Sequence, residues 1–419
     1  MMDNGALNLL TRDERFLLLC CSGLDREELI SKVEAFVSSG LDWMRVRSRM
    51  SQYPFLNVTG LIYPALVSIR SRFDVPSNII DYAESFYQLN KRENELCITE
   101  LARIIRKLRQ HQIDCVVAKG PALVLTLYPD MGVRQFSDLD LLFLPDQIRA
   151  AEQCLQEIGY ASTNPRAGRQ EDFLQHHHHL PPLVKDRDDS RQFVIEVQWA
   201  VSGYCKNFAF AKRLRDRART VMVDGTEIRV PCLEDLFLHA LLDTLAHEFE
   251  KGIKSLCDLN YMYRTCGLKL RWEQIVDEIA ALGIRNEAEL VFVLLDRLMG
   301  CSVDASVKTA ASDIPDCIIT SAEERLLRRR SDSILFWKLL ASSGWRQRFS
   351  YVRDGLKDSG ETADNAVSPR RPFTLRSIRQ FIRVIKSIPS ASDIIQNERA
   401  QMMITGWINK QNASRDPAV

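Results

Sequence analysis

The chain has 419 residues, room for about two to three domains, with 46% hydrophobic and 26% charged residues, the balance of an ordinary globular protein. Its formal net charge is +1, so no global field draws it toward nucleic acid or a membrane surface, and specific nucleic-acid binding is not favoured. The eleven cysteines form no C-x-x-C pair; they give no zinc pattern and read as small apolar side chains in a reducing compartment. The opening Met-Met-Asp-Asn-Gly lacks the basic-then-apolar form of a signal peptide. The most apolar windows, Phe16–Leu24 and Leu61–Ile69, fall far short of the roughly 18 residues that cross a bilayer. The expectation is a cytoplasmic protein with no membrane partner.

Residues 1–95 read as an N-terminal helical region. Apolar positions recur at helical spacing in Glu27–Val37 and in Tyr63–Arg72, and Asp25 ahead of Arg-Glu-Glu fits an N-cap. A long helix is predicted from Asn90 to His111, with Leu96, Ile98, Leu101, Ile104, Ile105 and Leu108 on one side. Residues 96–232 read as a mixed core. Its predicted order is strand Cys115–Ala118, helix Pro121–Tyr128, strand Asp138–Leu144 and helix Asp146–Ile158. After Gly159 come a polar loop and His176–His179, then strand Phe193–Ala200 and a hairpin turning at Asp224-Gly225. From Leu233 to about Leu356 the pattern is helical again. Residues 357–372 are polar and nearly free of apolar side chains, which predicts a flexible linker. Residues 373–419 carry a basic amphipathic helix over Leu375–Ile388 and a loose tail. The fold class expected is α+β, a small mixed-sheet core flanked by N-terminal and C-terminal helical regions.

The chemistry concentrates in residues 115–144. A short apolar strand runs into Lys119-Gly120, and a second strand carries Asp138 and Asp140. Side chains two apart share one face of a strand. Two carboxylates on one face of an apolar strand repel each other and are costly to bury, a cost sequences keep mainly where a divalent cation sits between the oxygens. By the same repulsion, removing either aspartate is expected to leave the fold intact. Glu196, inside the apolar run Val194-Ile195-Glu196-Val197-Gln198-Trp199, would complete a group of three carboxylates. Magnesium, or manganese, takes such oxygen ligands and keeps waters for substrate phosphates.

In this order and spacing the chain resembles the uncharacterised bacterial nucleotidyltransferase family of the DNA polymerase beta-like superfamily. The matching positions are Lys119, Gly120, Ala122, Leu123, Tyr128, Arg134, Ser137, Asp138, Asp140, Leu141 and Leu142, with Glu196 on a later strand. On the flanks stand Asp42-Trp43, His239, His247 and Asp258. Two positions depart from the pattern: Pro121 follows Gly120 where serine is frequent, and Gln198 stands where this narrower family often has histidine. The resemblance implies an enzyme that moves a nucleoside monophosphate from a triphosphate such as ATP to a hydroxyl or amine, on a small molecule or a protein, releasing pyrophosphate. It implies Asp138, Asp140 and Glu196 as metal-holding and catalytic residues, and Lys119, Gly120, Arg134 and Ser137 as nucleotide contacts, Gly120 by letting the backbone approach the phosphates. Other readings stand beside these. Lys119 can be a strand-end surface charge, Glu196 the partner of an arginine, and Arg134 an ion-pair partner holding Asp138 or Asp140. A non-catalytic nucleotide-binding or regulatory protein on the same fold, or an AMP-transferring protein modifier, is the alternative function.

His239, Asp243 and His247 recur every four residues and fall on one helical stripe. They are candidates for the acceptor site, with zinc the lesser reading. His176–His179 cannot all face one site; a loop or hairpin edge is expected, with one histidine reaching the site as the second option. The basic runs Arg325–Arg330 and Arg370–Lys386 read as solvated helix faces.

Overall fold

The computed structural model describes residues 10–165, 177–187, 189, 191–202, 208–245, 249, 252–303, 314–327 and 404. The expected linker, the helix Leu375–Ile388, His176 and His247 lie outside them. Helix α1 (Arg12–Cys20) opens with a capping box in which Thr11 and Glu14 satisfy each other's backbone amides. Asp25 caps α2 (Arg26–Ser38) by accepting from the Glu28 amide at 2.9 Å. Helices α3 (Trp43–Met50) and α4 (Thr59–Arg70) follow.

Helix α5 spans Ser77–Gln110, 34 residues, and so begins well before the Asn90 start read from the sequence. It runs unbroken across positions 95 and 96, where the sequence suggests that the helical region ends and the core begins. Its first turns bury Ile79, Ile80 and Ala83; its middle buries Asn90 and Asn94. The Asn94 side-chain amide donates to the carbonyls of Met131 (2.6 Å) and Arg134 (2.8 Å), and that of Asn90 to Gly132 (3.3 Å). These asparagines, i and i+4 on one face, hold the loop that leads into the Asp138–Asp140 strand.

The sheet has five strands in the order β1–β2–β5–β4–β3. These are β1 (Val116–Val117), β2 (Leu139–Leu142), β3 (Ala161–Ser162), β4 (Leu183–Asp186) and β5 (Gln192–Gln198). β2 and β5 pair in parallel and the other neighbours are antiparallel, so the sheet is mixed. Helix α6 (Lys119–Thr126) connects β1 to β2, and α7 (Ile148–Glu157) leads to β3. All four residues of β2 are buried, as expected of a central strand covered on both faces. The sequence predicts loop where β3 and β4 stand. Only the first residue of β4 is buried, so its sequence gives no alternating pattern.

The helix Phe208–Asp216 precedes the hairpin β6 (Arg219–Val223) and β7 (Thr226–Val230), which turns at Asp224 and Gly225 with φ of 46° and 70°. That is the two-residue turn whose positive φ values favour Asp-Gly. The α-helices Leu233–Leu245, Lys254–Cys266, Trp272–Leu282, Arg285–Met299 and Asp316–Leu327 follow. The N-terminal and C-terminal helices meet. α1 packs on Arg285–Met299, and Asn260 donates to the Ser22 carbonyl at 2.6 Å. The described residues form an α+β protein with one connected apolar core. No described helix is long and apolar enough to cross a membrane.

Candidate active site

The parallel register of β2 and β5 sets Asp140 directly beside Glu196, and Leu142 beside Gln198. Strand alternation puts Ile195 and Val197 in the core, both fully buried, and Glu196 on the other face. Asp138, just before β2, completes the group: one oxygen from each of the three carboxylates lies within 4.8 Å of the others. Two oxygens on one magnesium ion sit at most about 4.2 Å apart, at about 2.1 Å each from the metal. Three hard oxygen donors at near this spacing, one of them buried, fit that ion after a small side-chain adjustment.

The carboxylates already have partners. The Lys119 Nζ lies 2.5 Å from Asp140 Oδ1 and 3.3 Å from Glu196 Oε2. The Gln198 Nε2 donates to the same two oxygens, at 2.5 and 2.8 Å. Repulsion alone therefore does not describe Asp140; it is a partnered acid. Burial pushes the Asp140 carboxyl well above the ordinary range, with Lys119 opposing this and the charges of Asp138 and Glu196 adding to it. Burial pushes Glu196 up too, but Lys119 and then His179 outweigh it and hold that carboxyl at about 2. Lys119 loses charge stability to burial and regains more from Asp140 and Glu196, so it stays an ammonium.

Lys119 is also the strained residue of the turn. Its φ is +49°, in the left-handed region that costs a side-chain-bearing residue about 1–2 kcal/mol. Gly120 has a different reason to be glycine. A Cβ there would stand 2.5 Å from the Phe136 Cβ, so what its missing side chain admits in the structure is Phe136.

Arg134 goes to a partner that the sequence does not suggest. Its guanidinium forks onto Asp258, Nε to Oδ1 at 2.7 Å and Nη2 to Oδ2 at 2.6 Å, and it also donates to the Gln135 carbonyl. Tyr128 donates to the same Asp258 at 2.6 Å. The ion pair is buried, with side chains 8% and 1% exposed. Ser137 is exposed, and its Oγ lies 3.3 Å from Asp138 Oδ1. Of the acceptor stripe, His239 is buried and Asp243 half-buried. Asp243 accepts from Ser255, and its charge reaches Lys119 and Arg134.

Two further groups lie near the carboxylates, one absent from the sequence reading and one only a second option in it. Lys254, the first residue of its helix, is pulled down to about 8 by Arg134 and by burial, against Asp258, Asp243 and Asp138. His179, one of the four consecutive histidines, bridges across to Gln198 and acts electrostatically on Glu196. Its Nδ1 faces the Leu180 carbonyl at 2.6 Å. An isolated lysine carries no periodic signal, so only the fold brings Lys254 in, whereas a histidine of 176–179 near the site is the second option read from the sequence.

Residues 48–300, more than half the chain, match the family described as uncharacterised nucleotidyltransferase. The chain belongs to that family. No curated protein matches it. Among solved structures, it is similar to an antigenic nucleotidyltransferase-like protein from Paracoccidioides brasiliensis. The two share 13% identity over 46% of this chain and 92% of that one, with a TM-score of 0.28, an overlap that places no residue. Within this nucleotidyltransferase family member, the matched span contains β1 to β7, the three carboxylates, Lys119, and the helices that supply Asp243, Lys254 and Asp258.

Proposed function

We propose that this protein is a divalent-metal-dependent nucleotidyltransferase, moving a nucleoside monophosphate from a triphosphate to a hydroxyl or amine on a small-molecule or protein acceptor. The observation that carries this is the convergence of Asp138, Asp140 and Glu196, with an oxygen of each within 4.8 Å of the others, in a chain of the nucleotidyltransferase family. Asp138, Asp140 and Glu196 would hold magnesium or manganese. When bound, that ion offsets the phosphate charge and polarises the α-phosphorus.

The remaining steps fall to the chain itself. The acceptor oxygen or nitrogen forms a bond to the α-phosphorus. The bond from that phosphorus to the oxygen bridging to the β-phosphorus breaks, and pyrophosphate leaves with the electron pair. Glu196 would assist deprotonation of the acceptor. Lys119 offsets charge on the phosphates as a point cation, and positioning with charge neutralisation supplies most of the acceleration. His239, Asp243 and His247 would serve the acceptor side. The cytoplasm is the proposed location.

A second reading has a specific observation behind it. Lys119 and Gln198 satisfy Asp140 and Glu196 without any metal, as a non-catalytic nucleotide-binding protein would require. One binding experiment separates the two. Labelled triphosphates are titrated with and without Mg²⁺, on wild type and on Asp138→Asn and Asp140→Asn. The enzyme reading expects metal-dependent binding that both variants lose by about 100-fold or more, given about 1.4 kcal/mol per tenfold. Equal binding with and without metal overturns it in favour of the second reading.

A further inference from the structure

We infer that Lys119 is a built-in stand-in for the divalent cation, which closes the Asp140–Glu196 pair in the free protein and releases it when a triphosphate draws the lysine away. The inference rests on reading these carboxylates as a cation site.

The first support is position. The ammonium contacts one oxygen of each carboxylate, at 2.5 and 3.3 Å, so it occupies the space between the two acids where a shared cation belongs. The second is completeness. Gln198 donates to the same two oxygens, so the buried Asp140 Oδ1 accepts from two donors before any metal arrives. The third is the backbone. The left-handed φ falls on Lys119 while the glycine stands one position later with no positive φ. Strain of this kind persists only where the surrounding structure over-determines it. Here it accompanies a side chain held inward, 21% exposed, against a carboxylate that is 2% exposed.

The consequence is coupled binding. A cation approaching alone meets a positive charge already in its place, and its apparent affinity is reduced by the fraction of molecules in which Lys119 has left. A triphosphate offers several negative oxygens to the same lysine. Its arrival raises that fraction, so triphosphate and metal strengthen each other through one residue.

The test is a Mn²⁺ titration followed by water-proton relaxation, on wild type and Lys119→Gln, with and without a non-hydrolysable triphosphate. In wild type the triphosphate should tighten Mn²⁺ binding about tenfold or more, the reciprocal of metal tightening the triphosphate. Lys119→Gln should bind Mn²⁺ alone about tenfold more tightly than wild type, and its coupling should shrink to about threefold or less. A folded Lys119→Gln that binds Mn²⁺ no better than wild type, or not at all, overturns the inference. Wild type that binds Mn²⁺ but no triphosphate sinks the nucleotide reading instead, and the metal-only comparison still decides the role of Lys119.

If Lys119→Gln does not fold, lysine reactivity in wild type replaces it. Reductive methylation mapped by mass spectrometry should find Lys119 protected in the free protein and about threefold or more reactive under saturating Mn²⁺ alone. Unchanged protection under saturating Mn²⁺ overturns the inference.

Discussion

Lys119 and Gly120 are adjacent, and the structure divides their work differently from the sequence pattern. The pair is legible as a turn entering a helix, and lysine beside glycine points to phosphate. The sequence does not show that the strain falls on the lysine and the close packing on the glycine, because both depend on what lies opposite. Phe136, sixteen residues on, is what fills the space beside Gly120. Gly120→Ala should therefore destabilise the fold by about 1–3 kcal/mol, the range for overpacking a filled site. Urea denaturation measures it, and adding Phe136→Ala should return less than the sum of the two single losses. Additive losses would mean that Phe136 is not what excludes the methyl group.

At the scale of elements, the ion pair Arg134–Asp258 fastens the loop before β2 to the helix Lys254–Cys266. Both acid and base are buried, so removing one leaves the other unpaired away from water. Asp258→Asn should cost about 3–5 kcal/mol in urea denaturation, and Arg134→Lys should keep part of the stability while losing the two-pronged geometry. A loss for Asp258→Asn near zero would place Arg134 with another partner, the nucleotide first among them. This pair also marks the limit of the sequence. Arg134 is visible as a functional arginine, but its partner lies 124 positions away. Asn90 and Asn94 set a similar limit. They occupy core-facing positions of α5 because they bond loop carbonyls, and polar residues there break the apolar period that would reveal the first half of the helix. By contrast, the Asp-x-Asp strand, the Glu196 strand and the Asp-Gly hairpin are legible, since each rests on a local pattern.

Across the whole molecule, the helix Asp316–Leu327 carries a pH dependence. Glu323 is buried, with Arg297 3.8 Å away. Burial raises its carboxyl from an ordinary 4.5 to about 7, against the pull of Arg297. A folded-state value above the unfolded one means that the folded protein holds the extra proton. Its stability contribution is full below about 4.5 and lost as pH rises through about 7. Glu323→Gln should raise stability by about 2 kcal/mol at pH 8 and change it little at pH 5. Each tenfold difference in proton affinity between folded and unfolded chains is worth about 1.4 kcal/mol, and solvent screening trims the total. Melts at the two pH values check this, and an equal effect at both would show that Glu323 does not titrate between them. The helical regions on either side of the core are legible as helices. Their union is not, because α1 meets Arg285–Met299 through contacts that no local pattern encodes.

Helix α5 gives this union a mechanical side. Its 34 residues make a rod about 50 Å long at about 1.5 Å per residue. One end lies among the N-terminal helices, where α5 packs on α4, and the other reaches β7 through Arg106 and Thr226. Asn94 sits about 26 Å along it from Ser77. With Ser77 as the pivot, a tilt of about 5° sweeps Asn94 sideways by about 2 Å on this lever arm. That is farther than the hydrogen bonds to Met131 and Arg134 can stretch and survive. The N-terminal helices and the β7 contact thus hold the rod at its two ends, and the tilt they allow together bears on how still the carboxylate loop is held.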